Sequence, residues 1–326
     1  MSRARDFADL AGSADAGGLT GRNVLINGEW QVSQRGDYTS ATSLPTSATY
    51  YLDRFKFRRG GVTGTFTHKL DQTLDNNDVV STVRLDVTST ATGNVHCLQI
   101  FEDVDFFKNK TITFSARVKS NSTNARLIIN ADGGGGTTSS SAHTGGSGWE
   151  LLKGTATITS GATGVQLYCG IQAAATGNVA GVTNGDFFEI SQIQVEVGEQ
   201  ATPFEHRSFG DELARCQRYF YREVDDDGSM FSWVGFADSS TAAYLQHPHP
   251  VEMRAEPSMS TTGTAGDYSL RIGGNTVGCS HVPLLSSSTK RVGHVQWRVS
   301  SGLTTGQAMV GKHDATDKYI DWSAEL

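Results

Sequence analysis

KTITFSARVKS, residues 110–120, alternates without a fault. Ile112, Phe114, Ala116 and Val118 fall on one side, and Thr113, Ser115, Arg117 and Lys119 on the other. Successive side chains of an extended chain point to opposite faces, so a period of two marks a strand with one face in a core and one in water. The same period recurs on both sides of this stretch. GTFTHKL groups Phe66, His68 and Leu70, STVRLDV groups Val83, Leu85 and Val87, and GVQLYCGI groups Val165, Leu167, Cys169 and Ile171. Upstream, Val24, Ile26, Gly28, Trp30 and Val32 share a face in the same way. In EISQIQVEV the apolar face passes from Ile190 to Ile193, Val195 and Val197, a slip of one residue that predicts a β-bulge. Half-buried strands at short spacing, with no helices between them, predict an all-β protein built on an antiparallel jelly-roll β-sandwich.

Composition agrees. Of 326 residues 37 are Gly, and only 19 % are charged, which suits many strands joined by tight turns. The length allows two domains, each with its own core. DGGGGTTSSSAHTGGSG, residues 132–148, reads as a long loop.

Residues 208–222 break the strand pattern. Ser208 with Asp211 three positions on is a capping arrangement, and Phe209, Leu213, Cys216 and Phe220 form one helical stripe. Phe204 stands just ahead of that helix. Alternation then resumes in VEMRA (Val251, Met253, Ala255), YSLRI (Tyr268, Leu270, Ile272), HVQWRV (Val295, Trp297, Val299) and YIDWSAEL (Ile320, Trp322, Ala324, Leu326). The expected organisation is a flexible N-terminal attachment arm over 1–22, a jelly roll over 23–205 and a helical connector over 206–222. A second, smaller β-sandwich domain follows over 223–326.

Several kinds of chemistry are excluded. The net charge is −7 and no Lys/Arg cluster could follow a phosphate backbone, so nucleic acid is not an expected partner. No run of 18 apolar residues occurs, so no membrane insertion by a helix is expected. Cys97, Cys169, Cys216 and Cys279 are far apart and make no C-x-x-C, which leaves them as small buried apolar groups. The opening residues carry charges without a following apolar stretch, which predicts no Sec-type export. The glycines at 133–136 lack the Lys and the following helix of a phosphate cradle, and no G-x-S-x-G exists.

The remaining candidates each meet a plainer reading. Glu205, His206 and Cys216 set an acid, an imidazole and a thiol close together, but helical spacing turns Cys216 into the stripe with Leu213 and Phe220. No catalytic residue and no enzyme are expected. His247 and His249 would share one side of a strand as a ligand pair, and Trp233 and Tyr244 could stand out as sugar-stacking platforms. These four are the ligand-binding candidates. Asp71, Asp75 and Asp78, then Asp103 and Asp105, then Asp225 to Asp227 lack the spacing of a calcium loop and read as polar turns. No cofactor is expected, with room left for a structural calcium held by residues distant in sequence.

Two segments resemble a group of bacteriophage virion proteins, mostly tail-fibre or minor tail proteins. GRNVLINGEWQVSQRG, followed by YTS and YYLDRFKF, is similar to their opening. VGEQATPFEHRSFGDELARCQRYFYR is similar to their most specific motif, in which a last strand runs into a Phe-Glu-His-Arg turn and a short Cys-containing helix. VEMRAEPSMS and the closing SSGLTTGQAMVGKHDATDKYIDWSAEL resemble the C-terminal β-domain that follows in such proteins. Within that frame KTITFSARVKS, GWELLKGTATI and DFFEISQIQVEVG resemble strands of carbohydrate-binding jelly rolls. Those modules often hold calcium through an acidic pair in the closing strand, whereas Glu189 is followed here by Ile190 and Ser191.

The resemblance implies a non-enzymatic virion appendage, made in the host cytoplasm and contacting host-surface glycans. Its other partners would be virion proteins held through the N-terminal arm, and it would form a homotrimer. An architectural adaptor or decoration subunit that binds only virion proteins is the alternative. A polysaccharide depolymerase would need a β-helix repeat or an acid pair that the sequence does not display.

Overall fold

The computed structural model describes residues 21–44, 49–60, 64–71, 81–173, 181–224, 230–315 and 318–326. Most of the expected arm, as well as Asp75, Asp78 and Asp225 to Asp227, lies outside the described residues. The chain divides into two compact units, Met1–Glu212 and Leu213–Leu326.

In the first unit the strands are β1 (Thr42–Ser43), β2 (Thr49–Leu52), β3 (Phe55–Gly60), β4 (Phe66–Asp71) and β5 (Thr82–Val87). Next come β6 (Ala91–Thr92), β7 (Asn94–Ile100), β8 (Lys110–Ser120), β9 (Ala125–Asp132) and β10 (Gly136–Ser139). The last are β11 (Trp149–Ile158), β12 (Gly164–Ile171), β13 (Gly181–Val182) and β14 (Phe187–Val197). They make two six-stranded antiparallel sheets, ordered β1-β4-β5-β14-β8-β11 and β10-β9-β12-β7-β3-β2, and a small β13-β6 pair. The apolar faces read from the sequence close on each other. Ile112, Phe114, Ala116 and Val118 of β8 and Val165, Leu167, Cys169 and Ile171 of β12 are all fully buried in one core. Burying each large apolar side chain contributes roughly 1.5–3 kcal/mol, which is what fixes the register of these strands.

The second unit holds most of α1 (Phe209–Gln217) and then β15 (Phe220–Val224), β16 (Met230–Ala237), β17 (Ala242–Pro248) and β18 (Ser258–Thr261). Its remaining strands are β19 (Tyr268–Ile272), β20 (Asn275–Gly278), β21 (Leu284–Ser288), β22 (Val292–Arg298), β23 (Ala308–His313) and β24 (Tyr319–Ser323). A three-stranded sheet β15-β24-β18 and a seven-stranded sheet β20-β19-β23-β16-β17-β22-β21 enclose Trp233, Trp297, Trp322, Tyr268 and Leu245. The protein is an all-β chain of antiparallel sandwich type.

The bulge is where the phase slip put it. Pairing of β14 with β8 shifts between Ser191 and Gln194, and Gln192 takes a left-handed φ of 53°. The extruded Ile193 turns its backbone away from β8, and its N–H donates to the Gly28 carbonyl at 2.9 Å.

Four expectations are corrected. Residues 24–32 form no strand. Asn27 and Trp30 have φ of 60° and 56°, and burial does not alternate: Leu25 and Asn27 are inside and Val24 and Ile26 half out, whereas Gly28, Trp30 and Val32 are buried as expected. The helix ends at Gln217, not at residue 222, because Phe220 and Tyr221 pair with Ser323 and Trp322 of β24. Phe209, the first residue of the helix, is 57 % exposed, while Leu213 is half-buried and Cys216 and Phe220 are buried. The Gly-rich loop contains β10, which the turn at Gly133–Gly136 folds back onto β9. VEMRA is not a strand, although Met253 is buried.

Candidate functional site

The polar cluster around Glu205 is a clamp. Both Glu205 carboxylate oxygens accept backbone N–H groups, one from Gly21 and one from Asn23 at 2.7 Å. These bonds and the nearby Arg207 and Arg22 hold its carboxyl below the usual carboxylate range, against burial, which acts the other way. Arg207 donates to the carbonyls of Asn23 and of Leu25, the latter at 2.9 Å, and pairs with Glu212 at 3.3 Å. Glu212 in turn accepts the Asn27 N–H at 2.6 Å, and His206 Nδ1 sits 3.1 Å from Glu29. Ser208 caps α1, its hydroxyl accepting the Asp211 N–H at 3.3 Å. The stretches at residues 21–29 and 205–212 are therefore bonded to each other. His206 and Glu205 spend their hydrogen bonds on residues 21–29, and the Cys216 thiol is wholly buried.

Three of the four ligand candidates are in the core of the second unit. Trp233 is fully buried and donates its indole N–H to Glu223 at 2.8 Å. His247 is stacked between Tyr221 and Trp322 at centroid distances of 5.7 and 5.3 Å. His249 meets the edge of Trp322 at 4.8 Å. Burial, with His249 adding to it, lowers the His247 pKa to about 3, and burial lowers that of His249 to about 4, so both are neutral imidazoles. This corrects the expectation of an exposed platform or a ligand pair. In FSWVGFA both faces are apolar, so a period of two does not say which is buried. Only Tyr244 faces outward.

Among the described residues no three His, Cys, Asp or Glu side chains gather as metal ligands. Glu189 in the closing strand is met by Thr82 at 3.0 Å, Arg84 at 3.7 Å and Lys119 at 3.8 Å. Asp103 and Asp105 serve a turn, through the Phe106 N–H and Lys108.

The outer face of the β10-β9-β12-β7-β3-β2 sheet went unnoticed in sequence. Its register lines up three rows across the strands. One runs Thr137–Asn130–Gln166–Ile100 and the next runs Ser139–Ile128–Tyr168–Leu98–Lys56–Tyr50. The third is Arg126–Gly170–His96–Arg58. Polar groups on this face are already tied to one another. Tyr168 Oη donates to Gln166 Oε1 at 2.8 Å, and Gln166 Nε2 donates to Asp132 at 2.9 Å. Asn130 Nδ2 donates to the other Asp132 oxygen at 2.7 Å and its Oδ1 accepts the Thr137 hydroxyl at 3.0 Å.

Next to this line the His96 ring meets Tyr168 edge-on at 4.9 Å. It is nearly buried, neither ring nitrogen has a hydrogen-bond partner, and burial with the Arg58 charge lowers its pKa to about 3. Gly170 makes room for it, since a Cβ there would lie 2.1 Å from the Val95 carbonyl oxygen and 2.7 Å from His96 Cβ. Burial raises the Tyr168 pKa, and the nearby Arg58 charge acts against it. Leu98 and Ile128, 3 % and 6 % exposed, form an apolar floor on this side of the sheet, apart from the core.

No family model and no curated protein matches the chain. Among solved structures it is similar to one described as a "putative sugar binding protein" from Bacteroides thetaiotaomicron. That match has 10 % identity and a TM-score of 0.34, and covers 54 % of this chain and all of the other. It is also similar to a tandem of two CBM22 domains from Paenibacillus barcinonensis, at 11 % identity and a TM-score of 0.28, over 90 % of this chain and 99 % of the other. At such scores neither likeness says what this chain binds, and its own residues have to.

Proposed function

We propose that this chain is a bacteriophage virion appendage protein of the tail-fibre type whose first unit holds a host-surface glycan on the outer face of β10-β9-β12-β7-β3-β2. The observation that carries the glycan reading is the hydrogen-bonded line Tyr168–Gln166–Asp132–Asn130–Thr137. Its donors and acceptors are fixed before a ligand arrives, which lowers the ordering cost of binding a row of sugar hydroxyls. Sequence supports the virion reading, through the two phage-like segments. The appendage is proposed to bind and not to cleave, to attach to the particle by its N-terminal arm, and to act as a homotrimer. Strand β11 favours assembly, because it is a ten-residue edge strand that exposes Leu151 at 55 %.

The test is binding of the full chain to an array of bacterial surface glycans and to whole cells, with Asp132→Ala and Gln166→Ala beside it. A glycan should be retained whose affinity falls about tenfold in either variant, the loss of one or two oriented hydrogen bonds. Binding untouched by both substitutions would move the site elsewhere. No binding to cells or glycans, with capture by another virion protein instead, would replace this reading with the adaptor one.

A further inference from the structure

The seven-stranded sheet of the second unit has an outer face of a different character. Register sets Phe236, Tyr244, Gln296 and Leu284 side by side across β16, β17, β22 and β21. Val310, Val234, Gln246 and His294 make the neighbouring row. Phe236 is 53 % exposed and Val234 60 %. The Tyr244 ring stacks on His294, centroids 5.0 Å apart and planes at 29°, so three adjacent strands carry an aromatic strip. The strip continues into a fixed polar line. Gln296 Nε2 donates to the Tyr244 hydroxyl at 2.8 Å, and Arg298 Nε donates to Gln296 Oε1 at 2.9 Å. That line ends at a surface pocket of about 320 Å³ whose lining includes Thr241, Ser280, His281, Gln296 and Arg298. The Ser280 hydroxyl lies 3.0 Å from His281 Nδ1.

The charge on this face is one-sided. None of its seven strands contains an Asp or a Glu, although the chain as a whole carries −7. The face presents Arg271, Arg298 and His294, with His281 at the pocket. Lys312 is paired with Asp314, and Asp238 lies in the turn after β16, outside the pocket lining. Among the described residues the Arg298 guanidinium bonds through Nε alone, which leaves its two terminal nitrogens for another acceptor.

We infer that this face is a second saccharide site, selective for a sugar bearing a carboxylate or phosphate. The sugar ring lies on Phe236 and Tyr244, and the anion enters the pocket beside Arg298 and His281. Aromatic faces attract the C–H side of a pyranose and a guanidinium fork matches an oxyanion, so the two features divide the ligand between them. The site is separate from the first unit's face and does not depend on it.

Three probes test it by calorimetric titration of the full chain. They are an oligogalacturonide, the same oligosaccharide methyl-esterified, and a phosphorylated mannose oligosaccharide. At least one acidic probe should bind, and the pair distinguishes a carboxylate from a phosphate ligand. Arg298→Gln and Phe236→Ala should each weaken that binding about tenfold, the equivalent of one charge-assisted contact or one stacking contact. Both residues are exposed, so folding is checked by the unchanged circular dichroism of either variant. Asp132→Ala, in the first unit, should leave this binding as it was. Binding by neither acidic probe overturns the inference. So does an ester that binds as well as the bare oligogalacturonide where that is the ligand, or a loss produced by Asp132→Ala alone. An acidic protein that occupies the face and is displaced by neither sugar would likewise overturn it.

Discussion

Glu212, in the first turn of α1, accepts the backbone N–H of Asn27 at 2.6 Å across 185 positions of sequence. The same carboxylate faces Arg207, and both side chains are almost buried, at 7 % and 6 % exposure. Breaking a buried pair leaves its partner's charge uncompensated, which costs more than the pair itself contributes. Glu212→Ala should therefore destabilise the first unit by about 3 kcal/mol, and Glu212→Gln, which keeps an acceptor for Asn27, by less. Urea midpoints and amide exchange at Asn27 report both. A shift of the Ala variant under about 0.5 kcal/mol would mean that the clamp carries no load.

The thiols offer a direct check on the proposal that the chain binds and does not cleave. Cys97, Cys169 and Cys216 are buried, burial drives the Cys169 pKa well up, and burial raises that of Cys279 to about 12. A thiolate is the reactive form, so none of the four should react quickly with a disulfide reagent at pH 7.5, while all should react in denaturant. A single fast thiol at position 216 in the native protein would contradict the mechanical reading of the clamp.

Acid should unfold the second unit by way of its histidines. Above pH 6.5, His247 and His249 are neutral in both folded and unfolded chains and contribute no pH dependence. As the pH falls from 6.5 towards 4, the unfolded chain takes up protons that the folded core refuses, so stability declines; below about 3 the decline from this source ends. For His247 the loss is about 5 kcal/mol in all. His247→Phe, which keeps a flat ring between Tyr221 and Trp322, should flatten the melting temperature against pH over that window. An unchanged slope would transfer the effect to other groups, among them His68 and His96, whose pKa values are lowered to about 4 and 3 in the first unit.

Gly293 is required by its neighbour. A Cβ at that position would stand 2.1 Å from the Trp322 ring, which is itself fully buried and stacked on His247. Gly293→Ala should cost about 2–3 kcal/mol by overpacking. Thermal melting followed by tryptophan fluorescence measures it. A variant as stable as the parent would show that Trp322 can move aside.

The strands that sequence located well are those with one apolar and one polar face. In KTITFSARVKS and STVRLDV each inward residue is flanked by Thr, Ser, Arg, Lys or Asp, and the structure buries the expected set. Reading failed where both faces are apolar, as at Trp233, and where left-handed backbone breaks the alternation, as around Asn27, which is buried although alternation puts it on the polar face. The helix stripe failed at its two ends: Phe209 starts the helix but stays exposed, and Phe220 is buried but belongs to a strand. The outer face of β10-β9-β12-β7-β3-β2 was illegible for another reason. Tyr168, Asn130, Thr137 and Arg58 come from four strands, and only pairing brings them together. One signal was present, the Gly170 that breaks the outward row of β12 opposite His96.

Side-chain hydrogen bonds from Glu205, Arg207 and Glu212 to backbone groups of residues 23–27 tie together the two ends of the described part of the first unit. A tension applied through those ends would be borne in shear by the clamp, from Glu205 to Glu212, and would bypass the two six-stranded sheets. The outer face of β10-β9-β12-β7-β3-β2 would then keep its geometry while the chain on either side of the unit is pulled.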